Sequence, residues 1–306
     1  MLAVARAFAG EQVGAGEDPV EARIVVPDGF AAAADIGFPA VVKPEFGASA
    51  LGCVRIDDFE SLSGVYRLVR SVVTPEEDDI FRAGSDLLLE QYLDGVEFDV
   101  DLVLQDGECV FSSVSQNWPT AEPSFQETGL HLPPDHNKKA VRGLVELSVR
   151  TVQEFGFRRG VLHVEGKCTS RGPRVIEVNA RMGGARIHQM VKAVWGVDLI
   201  EAQLRSCLDL PQTLKPSRNP RCAVVNAIVY APATGRLADL SFAHVAPEGG
   251  MGIELDVLGQ VGQEVAGPDS TFATELAELT LSGKNLRRAR SLAARVLSEP
   301  PRILPD

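Results

Sequence analysis

The stretch VIEVNARMGG, residues 175–184, alternates apolar and polar side chains in the manner of a half-buried strand. Glu177, Asn179 and Arg181 stand at every second position, so they share one face of that strand. Two glycines follow. An edge strand with its polar face in water is the simplest explanation when the stretch is taken alone. A binding site is the alternative, because an acid, an amide and a base on one face can hold a cation and an anion together.

The segment before it, GVLHVEGKCTS (residues 160–170), also has strand character, and Arg171-Gly172-Pro173 predicts a turn between the two strands. In the resulting antiparallel hairpin, Glu165 and Glu177 come close to opposite one another. Adjacent carboxylates repel unless a cation lies between them. Two carboxylates and an amide oxygen are hard ligands that suit Mg²⁺ held together with phosphate oxygens and water. The hairpin therefore predicts a Mg²⁺ site made by Glu165, Glu177 and Asn179.

The residues that follow the predicted metal ligands are also suited to chemistry. Arg181 and the backbone amides of Gly183 and Gly184 lie just past the metal site, where developing transition-state charge needs hydrogen-bond donors. A zinc site is a competing hypothesis for the same hairpin. Its ligands would be His163, Glu165 and Cys168. The cysteine has the wrong parity to share a face with the other two, and no second cluster completes a tetrahedron, so zinc is disfavoured.

A second group of residues near the start of the chain suits phosphate binding. The segment FPAVVKP (residues 38–44) predicts a short buried strand, and Lys43 stands near its end, before the loop EFGASALG. Small residues let backbone N–H groups approach anionic oxygens, and an ammonium group adds a point charge. The loop lacks the spacing of the Walker A and dinucleotide-binding motifs, so a plain hairpin turn is the commoner explanation for it alone.

Composition excludes several functional classes. The chain has 306 residues and a formal net charge of −12, which argues against a large basic surface for nucleic acid or anionic membranes. Its five cysteines are scattered without paired spacing, which is typical of a reducing compartment and predicts a cytoplasmic location. The first residues do not make a convincing signal peptide, and no apolar run is long enough to span a membrane.

Periodicity predicts the remaining elements in outline. A strand is expected near residues 87–93, and a hairpin with a turn at Asp106-Gly107 is expected after it. Helices are predicted over 57–73, 137–156, 187–208 with a notch at Gly196, and 286–297, and strands over 221–232 and near 250–266. We expect His131 to be a solvated loop histidine, and Trp118 and Trp195 to pack in the core.

Three segments together resemble a known family. FPAVVKPEFGASALG, LLLEQYLDGVEFDVD and GVLHVEGKCTSRGPRVIEVNARMGG, in that order, resemble the ATP-grasp superfamily of carboxylate–amine ligases. The amino-acid ligase branch is most similar, in particular the ATP-grasp region of vertebrate carnosine synthases. The resemblance implies an α+β fold in which two lobes with antiparallel sheets clamp a nucleotide. The small lobe would span residues 37–92, and the large lobe with a C-terminal subdomain would span 93–306.

The resemblance also implies a role for individual residues. Lys43 would contact the ATP phosphates beneath a lid loop over residues 47–52, and Glu97 would bind the ribose hydroxyls. The remaining positions are Gly47, Ser49 and Gly52 in the lid, Glu90, Gln91 and Leu93 beside the adenine, Glu165, Glu177 and Asn179 on Mg²⁺ (or Mn²⁺), and Arg181 with Gly183 and Gly184 at the acyl phosphate. Lys43 and the metal ligands are expected to face each other across the nucleotide.

The implied activity is phosphoryl transfer from ATP to an amino-acid carboxylate, followed by attack of an amine on the acyl phosphate. β-Alanine and L-histidine are the expected substrates, and a homo-oligomer is compatible with the family. The alternative is a non-catalytic product of the same family that binds a nucleotide or a partner. ATP-grasp ligases usually carry a further domain before the strand that leads to Lys43, whereas residues 1–36 are too few to build one. We therefore expect 1–36 to be a remnant or linker.

Overall fold

The computed structural model describes residues 36–240, 251–268, 270 and 272–305, together with the backbone of 22–25. The chain divides into two units. The first comprises Met1–Asp94 and Thr120–Gln126, and the second comprises Gly95–Pro119 and Glu127–Asp306. Both units combine antiparallel sheets with packed helices, so the predicted α+β class is confirmed.

The first unit is built on a four-stranded antiparallel sheet with the order β1-β4-β2-β3. Its strands are β1 (Ala22–Val25), β2 (Ala40–Pro44), β3 (Val54–Ile56) and β4 (Leu87–Gln91). Helix α1 (Phe59–Val72) begins where the Asp58 carboxylate accepts a hydrogen bond from the Ser61 amide, and it buries Leu62 and Val69 against the sheet. A short 3₁₀ helix, Asp79–Ala83, precedes β4. Of the predicted remnant 1–36, only residue 36 and β1 lie within the described part of the chain, and residues 1–21 and 26–35 lie outside it.

The second unit contains an eight-stranded antiparallel sheet with the order β12-β14-β10-β7-β6-β5-β8-β9. Its strands are β5 (Val96–Gln105), β6 (Glu108–Asn117), β7 (Gly129–Leu132), β8 (Gly160–Thr169), β9 (Gly172–Asn179), β10 (Ala223–Tyr230), β12 (Gly252–Val257) and β14 (Glu275–Gly283). A small sheet of β11 (Gly235–Leu237), β13 (Glu264–Val265) and β15 (Ile303–Leu304) adjoins the chain's end. Both predicted hairpins, β5–β6 and β8–β9, are present.

The two faces of the large sheet are covered differently. Helix α2 (Lys138–Glu154) packs on the apolar face that includes Phe98 and Val164, and α5 (Leu286–Leu297) packs on β10 and β14. Helices α3 (Ile187–Trp195) and α4 (Leu199–Cys207) share a core with Val103 and Val161, whose strand parity places them on the opposite face. These helices cover the apolar end of that face, and its other end is polar.

Two expectations about this unit are wrong. The helix predicted over 187–208 is two helices, because Gly196 ends α3 with a left-handed φ of 74° and Asp198 caps a new start for α4. His131 was expected in a solvated loop, but it lies in β7 with 0% exposure, and its Nδ1 accepts a hydrogen bond from the Trp118 indole at 3.2 Å. Burial lowers the pKa of His131. The strand character of this segment is concealed by the prolines that follow it.

Other expectations are supported. Trp118 and Trp195 pack against hydrophobic cores as predicted. All five cysteines are free thiols. Across the described part of the chain, none of the helices has both the length and the apolar character needed to cross a membrane.

Candidate active site

A row of charged side chains crosses the polar face of the large sheet on β5 and β8. Alternate residues of β5 point to this face, and they pair directly with alternate residues of β8. The cross-strand pairs are Glu97–Lys167, Asp99–Glu165 and Asp101–His163. Only Glu97 and Glu165 in this row were predicted as site residues from the sequence. Strand β8 pairs with β5 on one side and with β9 on the other, so the acids of the β8–β9 hairpin lie beside this row.

Glu165 and Glu177 are cross-strand partners on β8 and β9, as the sequence predicted. The turn falls at residues 170–171 instead of the predicted Arg171-Gly172-Pro173, because Gly172 and Pro173 already belong to β9. A β-bulge directly after Glu165 shifts the register so that Glu165 still lies opposite Glu177. The Asn179 amide donates a hydrogen bond to Glu165 Oε1 at 3.2 Å. Burial first, and then the charge of Glu177, raises the pKa of Glu165 to about 8. The two carboxylates therefore repel each other, and a cation between them would offset that repulsion.

This donor set fits a magnesium ion that accompanies a nucleotide. Hard oxygen ligands from two carboxylates and an amide suit Mg²⁺, which usually keeps few protein ligands and completes its shell with phosphate oxygens and water. Throughout the residues that the structure describes, no group of three or more His, Cys, Asp or Glu side chains is arranged to hold a metal by itself. A Mg²⁺ ion held by Glu165, Glu177 and Asn179 would need phosphate oxygens and water to complete its coordination shell.

His163 is held beneath the acids by a buried carboxylate. Its Nδ1 lies 3.1 Å from Asp101 Oδ1, and Asp101 has 0% exposure. Burial lowers the pKa of His163, but the Asp101 hydrogen bond and the charges of Asp99, Asp101 and Glu165 outweigh it, so the pKa rises to about 9. The imidazolium thus supplies positive charge beside Asp99, Asp101 and Glu165. Burial raises the pKa of Asp99 to about 7, and the Asn117 amide donates to its Oδ1 at 3.0 Å.

The loop after β9 carries the predicted transition-state donors. The Arg181 side chain is exposed, and its Nη1 donates to the carbonyl of Met182 at 3.0 Å. The Gly183 amide donates a hydrogen bond to Asp101 Oδ1 at 3.2 Å, and this bond ties the loop to strand β5. A Cβ at Gly183 would come within 2.8 Å of the Ile187 side chain and 2.9 Å of His163 Nδ1, so a larger residue would require these side chains to shift. Gly184 is exposed.

In the first unit, the predicted phosphate lysine is paired. Lys43 is 9% exposed, and its Nζ lies 2.6 Å from Glu90 Oε2 on the neighbouring strand β4. The loop that follows, over residues 47–52, turns back through left-handed conformations at Ser49, Ala50 and Gly52. Tight turns of this kind bring successive backbone N–H groups to one side, which is the geometry of an anion-binding concavity.

The predicted adenine and ribose positions lie along β4 and the start of β5. Glu90 and Gln91 end β4, and Leu93 is 8% exposed in the segment after it. Glu97 lies in β5, and its carboxylate is 3.6 Å from the Lys167 ammonium. Glu90 and Glu97 therefore each have a lysine partner, Lys43 and Lys167 respectively, and the sequence did not predict either pair.

Sequence reasoning missed Asp99 and Asp101 although a signal was present. In VEFDVDLVLQ, residues 96–105, three acids stand at every second position, as in the opening stretch. The pattern predicts one acidic strand face, but only its neighbours in the sheet show that this face is buried beside Glu165 and His163. The missed residues are those whose burial depends on strands distant in sequence.

Comparison with known proteins gives a consistent result. A family model described as the ATP-grasp domain matches residues 36–189. Carnosine synthase 1 of Gallus gallus is 35% identical over 208 residues, which make up 67% of this chain and 22% of that protein. The chain thus spans less than a quarter of this relative's length.

Two solved structures share the fold. An L-amino acid ligase from Bacillus licheniformis has a TM-score of 0.74 at 21% identity, with 88% of this chain and 65% of that chain covered. The biotin carboxylase domain of Hydrogenobacter thermophilus 2-oxoglutarate carboxylase, solved with MgADP, has a TM-score of 0.63 at 17% identity, with 90% and 60% covered. These likenesses establish the architecture, and the family match extends over half of the 306 residues. The chain belongs to the ATP-grasp domain family.

Proposed function

We propose that the chain catalyses ATP-dependent ligation of an amino-acid carboxylate to an amino-acid amine. The observation that carries this proposal is the pairing of Glu165 with Glu177 on adjacent strands, with Asn179 bonded to the first. Such a pair is unfavourable without a cation. ATP-grasp enzymes use ATP with Mg²⁺, and this donor set suits the metal of a Mg²⁺–nucleotide complex. Mn²⁺ has the same ligand preference and is expected to substitute for it.

Residues of the first unit, together with Glu97 on β5 of the second, are proposed to bind the nucleotide. Lys43 contacts the phosphates, and its ion pair with Glu90 orients the ammonium group. The loop of residues 47–52 closes over the phosphates through the backbone at Gly47, Ser49 and Gly52. Glu90, Gln91 and Leu93 follow the adenine edge, and Glu97 accepts the ribose hydroxyls. These roles follow the family pattern and agree with the buried, ion-paired placement of Lys43.

The reaction divides into two transfers. A substrate carboxylate oxygen attacks the γ-phosphorus of ATP, the bond to the β–γ bridging oxygen breaks, and ADP leaves. The amine then attacks the carbonyl carbon of the acyl phosphate and loses a proton, and phosphate departs as the amide forms. When bound, Mg²⁺ neutralises charge on the phosphate oxygens. Arg181 stabilises the acyl phosphate and tetrahedral intermediate, with Gly184 as a backbone donor. No side-chain nucleophile is needed, which agrees with free cysteines outside the acidic row.

We propose β-alanine and L-histidine as the substrate pair. Support comes from the 35% identity to carnosine synthase 1, which exceeds the 21% identity to the L-amino acid ligase structure. The wider proposal, an amino-acid ligase, rests on both relatives. The substrate pair and the reaction class are therefore tested separately.

Phosphate release measured with each amino acid alone and with both together tests the proposal. Release that requires ATP, Mg²⁺ and both substrates supports ligation of β-alanine to L-histidine. Release with other amino-acid pairs, but not with this one, would keep the ligase and overturn the substrate pair. Tight Mg²⁺–ATP binding without release in any pair of the twenty standard amino acids and β-alanine would contradict catalysis and favour a nucleotide-binding role.

A further inference from the structure

The loop that carries Arg181 is anchored at two points. It leaves β9 after Asn179 and enters α3 at Ile187. Gly183 is bound from below by the buried Asp101, as described above. The second anchor is Arg186, the residue immediately before α3. The exposed Arg181 precedes both anchors in the chain. The position of its backbone therefore depends on the contacts of Gly183 and Arg186.

Arg186 lies among three acids from strands at the far edge of the same sheet. Its Nη1 donates to Glu254 Oε1 at 2.9 Å, it forms an ion pair with Asp256, and its Nε lies 3.7 Å from Glu278 Oε2. The Arg186 side chain is only 14% exposed. Asp256 and Glu278 are direct cross-strand partners on β12 and β14, so their charges repel unless a cation is shared. Arg186 is such a cation, and its planar donor groups match several carboxylates at once.

The backbone between the anchors is strained. Ala185, a residue with a side chain, has a φ of 44°, in the left-handed region that favours glycine. Such a conformation persists when the surrounding structure holds both ends of the segment. The ion pairs of Arg186 on one side, and the Asp101–Gly183 bond on the other, meet that condition.

We propose that Arg186 is a positioning residue for catalysis, which holds the β9–α3 loop in register by binding Glu254, Asp256 and Glu278. This inference rests on the proposed ligase function, in which Arg181 acts on the acyl phosphate. Strands β12 and β14 lie outside the residues 36–189 that the family model matches. The far edge of the sheet therefore contributes to the reaction through Arg186, without touching a substrate.

Substitution of Arg186 tests the proposal by kinetics. Arg186→Gln keeps a polar side chain but removes the charge, and it is expected to lower kcat by roughly 10²-fold through misplacement of Arg181, with KM for ATP little changed. Arg186→Lys keeps the charge and is expected to recover part of kcat. Arg205→Gln is the matched control, because Arg205 also pairs with an acid, Glu201, but on helix α4. Equal kcat in wild type and Arg186→Gln would overturn the proposal.

A double-mutant cycle separates positioning from a general loss of stability. Asp256→Asn should lower kcat in the same direction, and the double variant Arg186→Gln/Asp256→Asn should lose less than the product of the two single effects. Fully multiplicative losses would show that Arg186 and Asp256 act independently and would contradict the proposed pairing.

Hydrogen exchange provides a readout that does not depend on ligation. The Gly183 amide is expected to exchange slowly in wild type and in Arg205→Gln, and faster in Arg186→Gln, while amides in α2 are unchanged. If wild type fails to ligate any amino acids, the proposed function fails, and the exchange result still decides whether Arg186 holds the loop. Unchanged exchange at residues 182–185 in Arg186→Gln would overturn the positioning role.

Discussion

At the residue scale, the candidate site is a group of neighbouring acids whose negative charges repel one another. Glu165 is paired across the strands with Glu177 on one side and Asp99 on the other. The pKa values of Glu165 and Asp99 are raised, to about 8 and about 7, chiefly by burial. His163 offsets part of this charge from within the sheet. A divalent cation held by Glu165, Glu177 and Asn179 would offset the rest, which is why these acids suit a Mg²⁺–nucleotide complex.

Glu177→Gln removes one charge from the proposed metal site and keeps the shape of the side chain. It is expected to weaken binding of Mg²⁺–ATP more than binding of metal-free ATP, because the lost carboxylate acts through the cation. Titration calorimetry with Mg²⁺, and with a chelator instead, measures both affinities. Glu264→Gln, in the small sheet, is a control with an exposed acid. Equal affinity of wild type and Glu177→Gln for Mg²⁺–ATP would remove Glu177 from the metal site.

Arg181→Ala tests the proposed transition-state donor. The side chain is exposed and is bonded only to its neighbour's carbonyl among the contacts described above, so its removal should leave folding and ATP affinity almost unchanged. Loss of a transition-state donor lowers turnover by about 10²–10³-fold. Steady-state kinetics at saturating ATP measures the effect. If turnover were unaffected, Arg181 would be an ordinary solvated residue at the end of a strand.

At the element scale, local pattern predicted the elements that are contiguous in sequence. The two hairpins and the pairing of Glu165 with Glu177 follow from alternation and turn residues. Strand β14 was not predicted, although it belongs to the large sheet, where it lies between β10 and β12. Its partner strands β10 and β12 are separated from it in sequence. The alternation of apolar and polar residues within a strand does not identify which separated strands pair. The burial of Asp99 and Asp101 was missed for the same reason.

The break between α3 and α4 gives a prediction about stability. Asp198 caps α4 by accepting hydrogen bonds from the Ile200 and Glu201 amides, and the Lys192 hydrogen bond is the main reason that the pKa of Asp198 is lowered. Asp198→Ala is expected to cost about 1 kcal/mol of unfolding free energy near neutral pH. A lowered carboxyl pKa contributes stability above the ordinary value and loses it as the pH falls through the lowered value.

Urea unfolding of wild type and Asp198→Ala checks this expectation. The difference in unfolding free energy should be largest near neutral pH and should shrink in acid, below the ordinary pKa of an aspartate. Asp198→Asn keeps a capping side chain without the charge and should lie between the two proteins. A difference that is constant with pH would show that the ionised carboxylate contributes nothing beyond its shape.

At the scale of the whole molecule, the chain combines a recognisable family core with a C-terminal part that the family model does not match. Residues 36–189 contain every predicted site position, and each of those predictions came from motifs within that range. The strands β10, β12 and β14 complete the same sheet from outside that range, and β12 and β14 supply the acids that contact Arg186. No motif indicated this contribution, because it depends on sheet order rather than on local spacing.

In the proposed reaction, the substrate carboxylate is activated as an acyl phosphate. If so, the phosphate released must retain one oxygen from the substrate carboxylate. Incubation with ATP, Mg²⁺, L-histidine and β-alanine labelled with oxygen-18 in its carboxylate, followed by mass analysis of the phosphate, measures this transfer directly. We predict that the released phosphate carries one oxygen-18 atom per amide formed, and that Glu177→Gln lowers both products together. Amide formation with unlabelled phosphate, or phosphate release without label or amide, would contradict the proposed mechanism.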